Sequence, residues 1–139
     1  MVEKYLWIAG SFILLVLGTI HLLYTFFSKK LLPFRESVIT EMKSSTLVLT
    51  KETTVWKAWM GFNASHSSGA IYIGIINIFL AIRFFETVGR DYFFIVFNIL
   101  IVCFYFWLAR KYWFRKPFTG IALTLICYVT SAVISFLPK

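Results

Sequence analysis

The chain contains two histidines, and both lie inside long apolar runs of a sequence that is 60% hydrophobic. An ionisable side chain within such a run is costly to bury and is a functional candidate by default. Around His21 the small and polar residues Gly10, Ser11, Gly18, Thr25 and Ser28 recur at helical spacing. Around His66 the same is true of Asn63, Ala70, Ile73 and Asn77. A pair of imidazoles could clamp a b-type haem, with Gly18 and Gly69 making room for the ring. It could hold a transition metal ion, although no carboxylate or well-placed cysteine completes a four-ligand set. It could also recognise a quinone, a lipid headgroup or a small solute by hydrogen bonds. The alternative is purely structural: neutral imidazoles bonded to Asn, Thr or a backbone carbonyl, tying helices together. All of these readings are open at the level of residue type.

Depth sharpens the pairing. His21 lies about 10 Å from the end of its run, and His66 roughly 10 to 15 Å from the start of the next, at 1.5 Å per helical residue. With consecutive spans running in opposite directions, the two fall in one layer. Asn63, Thr25, Tyr105 and Thr124 fall near it, so the candidate ligand-binding set is His21, Thr25, Asn63, His66, Tyr105 and Thr124.

Other chemistry is poorly supported. Glu3, Glu36, Glu41, Glu52, Glu86 and Asp91 all lie at span ends or in loops, whereas a proton-coupled transporter usually needs a buried carboxylate or equivalent relay. The hydroxyl-rich stretch at 63–69 offers no serine facing a histidine across a gap, as a nucleophile pair requires. Asn63-Ala64-Ser65 matches the glycosylation sequon but lies within a span, beyond the reach of that machinery. No catalytic residue is assigned. Cys103 and Cys127 form no disulfide framework or zinc motif and read as small apolar packing residues.

The elements that position these residues are four apolar segments, 5–27, 56–84, 92–109 and 118–137. Each approaches or exceeds the roughly 20 residues of helix needed to cross the bilayer. Only 14% of the chain is charged, far below soluble proteins. The expected fold is therefore all-α, an integral membrane four-helix bundle forming a single domain over 1–139. Tyr5, Trp7, Trp56, Trp59, Tyr92, Tyr112 and Trp113 sit near span edges as expected interfacial anchors. Ten basic residues flank one side: Lys29, Lys30, Arg35, Lys43, Lys51 and Lys57 in the first loop and its flank, and Arg110, Lys111, Arg115 and Lys116 around the third. Lys4, Arg83, Arg90 and Lys139 are on the other. That bias puts the first and third loops in the cytoplasm and both termini outside. It also explains the net charge of +8 without nucleic acid.

The first loop is too long to be structureless. Leu31, Phe34, Val38 and Met42 recur at helical spacing between charges, predicting a short amphipathic helix on the inner leaflet or against a partner. Within the second span, Gly61, Ser65 and Gly69 predict a seam where a neighbouring backbone approaches closely. In the third and fourth spans the inward stripes are Asn98, Val102, Tyr105 and Ala109, and Gly120, Thr124, Cys127, Ser131 and Ser135.

The stretches GTIHLLYT at 18–25 and GFNASHSSG at 61–69 resemble those of small uncharacterised four-helix membrane proteins of bacteria, with a layout similar to the DoxX-like class. The resemblance covers the first half of the chain and implies a bacterial inner-membrane setting, but no activity and no functional residue. The functional expectation is an integral membrane protein with a polar intramembrane site for a small ligand or cofactor. An accessory or assembly subunit of a larger complex, and a small membrane-embedded enzyme or transporter, are the alternatives. The expected partners are membrane lipids, with a membrane-protein partner or a second copy as further options.

Overall fold

The computed structural model describes residues 1–137, so Lys139, counted above among the outer charges, lies outside the described residues. The described residues form five helices: α1 (Val2–Phe27), α2 (Glu36–Ser44), α3 (Val55–Val88), α4 (Tyr92–Tyr112) and α5 (Arg115–Phe136). Among them there is no strand, and α1, α3, α4 and α5 are each long and apolar enough to cross a membrane. In such a solvent a helix is stable because it satisfies its own backbone.

The helices overrun most of the apolar segments because charged residues near an end add helical turns without breaking the apolar run. Arg110 and Lys111 occupy the last turn of α4, where cations meet the negative end of the helix dipole. Asp91 caps its start, accepting from the Phe94 amide at 2.6 Å. Pro117 sits in the first turn of α5, where its missing N–H has no helical partner to lose. In α3 the backbone breaks at Phe84 (φ −136°, ψ 23°), the residue where the predicted span ends. Lys4 donates to the carbonyl of Ile82, two residues before that break.

The chain divides into two compact units, with α1 and α3 each contributing to both. The larger comprises Met1–Leu17 and the chain from Ala70 onward. Its core draws Trp7 and Leu14 from α1, Ala81 from α3, Ile95, Val102 and Ala109 from α4, and Ile121, Tyr128 and Ala132 from α5. Of these, Leu14, Val102 and Ala109 lie on the inward stripes of the sequence, and the other six do not. α1 and α3 touch backbone to backbone at Gly74, where an added Cβ would lie 2.8 Å from the Leu15 nitrogen.

The smaller unit, Gly18–Gly69, holds the end of α1, all of α2 and the start of α3. The amphipathic helix exists but starts at Glu36, so Leu31 and Phe34 precede it. Pro33 disfavours helical backbone at the residue before it, which delays the start. Beyond α2 the chain closes a loop through an isolated antiparallel bridge between Thr46 and Thr54, with the Val55 amide donating to the Ser45 carbonyl at 2.9 Å.

Three packing expectations are corrected. The Gly61/Ser65/Gly69 seam is not a close contact: Gly61 and Ser65 are exposed, and a Cβ on Gly61 would meet nothing within 4 Å. The close approach on this helix is at Gly74, outside the seam. Trp7 is not an interfacial anchor but the largest fully buried side chain. Cys103 is exposed on α4 and packs no core, whereas Cys127 is partly buried.

Candidate functional site

The smaller unit brings four of the six candidate residues together. Asn63 anchors the group. Its amide nitrogen donates to the Trp59 carbonyl one turn back at 2.8 Å, which turns its oxygen toward α1. That oxygen lies 2.9 Å from His21 Nε2. Since an amide oxygen only accepts, His21 carries its proton on Nε2 in this arrangement. The ring of His66 stands 5.7 Å from that of His21 and nearly perpendicular to it, at 78°. Thr25 is buried and returns its hydroxyl to the His21 carbonyl at 2.9 Å. Ser67, fully buried, does the same to the Asn63 carbonyl at 2.7 Å. These back-bonds satisfy hydroxyls within the helices themselves, so they shape the site without competing for the imidazoles.

The imidazoles are neither sealed nor fully open, since His21, Asn63 and His66 are all partly buried. Basic and aromatic side chains occupy the rest of this unit. Lys30 donates to the Tyr24 hydroxyl at 3.0 Å and lies over its ring, and Lys43 lies 5.2 Å above the ring of Trp56, which stacks on Trp59.

Tyr105 and Thr124 belong to the larger unit and are engaged there. Tyr105 meets Trp113 edge to face, with centroids 6.3 Å apart. Thr124 is fully buried, with its hydroxyl 3.2 Å from the Gly10 carbonyl and 3.1 Å from the Gly120 carbonyl, a tie between α1 and α5.

That larger unit holds a polar network in which Ser11, Asn77 and Asn98 lie on faces the sequence marks as inward, and Trp7 and Tyr128 do not. Trp7 Nε1 donates to Asn77 Oδ1 at 2.9 Å, and Asn77 Nδ2 donates to Asn98 Oδ1 at 2.8 Å. The Asn98 nitrogen finishes on the Phe94 carbonyl. Against Trp7 lies Tyr128, stacked with centroids 4.0 Å apart, whose hydroxyl is 2.8 Å from Ser11 Oγ. Two asparagines near the middle of apolar spans were the available signal.

The donor set weighs against two of the cofactor readings. Among the described residues no three His, Cys, Asp or Glu side chains gather where they could hold a metal ion. A porphyrin clamp needs both imidazoles aimed at one iron, yet the edge-on rings leave no slot between them and His21 Nε2 is engaged by Asn63. What remains is a pair of hydrogen-bonding rings on a fixed amide. No protein-family model, curated protein or solved structure matches this chain.

Proposed function

We propose that the chain is a four-span bundle of the bacterial inner membrane, with both termini extracytoplasmic, that binds a small polar ligand at His21, Asn63 and His66. The observation carrying this reading is the pairing of two partly buried imidazoles beside an asparagine whose orientation its own helix fixes. With the His21 Nε2–H given to Asn63, its Nδ1 is left as an acceptor, so the pair suits a ligand that brings a hydroxyl or ammonium donor. A lipid headgroup or a reduced quinone has that chemistry. The basic flanks of the first and third loops support the orientation. The resemblance of the 18–25 and 61–69 stretches to small bacterial membrane proteins supports the setting.

Native mass spectrometry of the full chain released from mild detergent tests the binding claim. A retained small molecule or lipid that is lost from both His21→Ala and His66→Ala is the expected result. Equal retention by wild type and both variants would return the histidines to a packing role.

A further inference from the structure

We propose that the loop from Ser28 to Thr54 is a wedge that docks on anionic lipid headgroups of the membrane its own flanking helices cross. The inference rests on the membrane reading above and is independent of the histidine site. Three observations carry it. First, the loop presents large apolar side chains outward: Phe34, Val48 and Leu49 are 102%, 110% and 91% exposed. Val48 and Leu49 sit in the loop whose base is closed by the Thr46–Thr54 bridge. Secondly, the smaller unit carries six basic side chains (Lys29, Lys30, Arg35, Lys43, Lys51 and Lys57) against three acidic ones (Glu36, Glu41 and Glu52). None of these six lies within ion-pair distance of a carboxylate, the sole such pair among the described residues being the N-terminal amine with Glu3. Thirdly, continuity fixes the location. The loop leaves α1 at Phe27 and enters α3 at Val55, so it cannot stray from the face where those helices emerge.

An exposed apolar pair in a unit whose cations meet no carboxylate matches the chemistry of a bilayer surface. The apolar tips enter the acyl boundary while the cations meet phosphates. An acidic soluble protein would also satisfy the charges, but the site faces a lipid surface at effectively fixed concentration, and that favours lipid as the occupant.

The test uses the full chain with Cys103→Ala and Cys127→Ala, and Leu49→Cys carrying an environment-sensitive fluorophore. The protein is reconstituted in phosphatidylcholine vesicles with and without phosphatidylglycerol. The expected result is a blue-shifted emission, quenched by spin-labelled lipid, that is stronger with the anionic lipid. Arg35→Gln, Lys43→Gln and Lys51→Gln should each weaken the anionic preference, by roughly fivefold per charge near the surface. A label that stays aqueous in both vesicles overturns the proposal and leaves the surface to a soluble acidic partner. Equal quenching in both vesicles overturns the anionic specificity. Failure of the chain to incorporate at all, read by flotation, overturns the membrane reading as well. A parallel Val48→Ser variant of the labelled chain, scored by the same emission and quenching and by circular dichroism, separates loss of the wedge from loss of folding.

Discussion

The two polar clusters of this chain are built from similar residues and are closed to different degrees. In the larger unit, Trp7, Asn77 and Asn98 pass hydrogen bonds from helix to helix and end on a backbone carbonyl, with all three side chains buried. In the smaller unit, His21, Asn63 and His66 meet while partly exposed. A closed ladder has already used its donors and acceptors on the protein. A half-open cluster retains surface on which something else can be recognised. The lesson is that polar residues within apolar helices divide into ties and sites by how completely their partners enclose them.

The comparison breaks most visibly at Asn77. Asn77→Leu strands the Trp7 indole N–H and the Asn98 amide oxygen in the core, and should cost about 2 kcal/mol. Thermal unfolding in detergent, followed by circular dichroism, measures it. An unchanged transition would mean that the ladder is not what ties α1, α3 and α4. Next comes Gly74→Val, which pushes α3 off the α1 backbone and should destabilise by about 1–2 kcal/mol on the same measurement. His21→Ala is expected to cost only about 0.6 kcal/mol, the usual scale of an interhelical hydrogen bond in a membrane, while abolishing ligand retention. A larger loss of stability with ligand retained would make the histidine cluster a second tie. At the small end, Gly61→Ala should stabilise by about 0.5 kcal/mol, because its Cβ meets only open space and alanine favours helix. A loss of stability there would reinstate the Gly61/Ser65/Gly69 seam as a contact.

Much of the fold was legible in the sequence because hydropathy writes span length directly. Leu14, Asn77, Val102 and Thr124 were likewise legible as inward-facing, since helical spacing fixes which residues share a side. Spacing gives a direction around one helix and leaves open which neighbour lies there. That is why a small-residue seam at Gly61, Ser65 and Gly69 was expected where none packs, and why the contact at Gly74 went unmarked. Trp7 shows a second limit. An indole close to a span end suits the interface and the core equally, and only its distant partner Asn77 decides between them. Within the candidate site, depth and face together put His21 and His66 in one layer, while the bond from His21 to Asn63 was one open partner among several. Tyr105 and Thr124 shared that depth by count alone, and depth does not reveal that Thr124 is held against the Gly10 and Gly120 carbonyls.

The parallel contact between Trp7 and Tyr128, with rings 3° apart in tilt, has an optical consequence. Two aromatic chromophores locked face to face in a chiral setting couple their transitions, so the pair should contribute strongly to near-ultraviolet circular dichroism. Trp56 and Trp59, stacked in the smaller unit, should contribute a band of their own. Substituting Tyr128 or Trp59 with leucine would assign each band, after which the loosening of either unit could be watched by light alone.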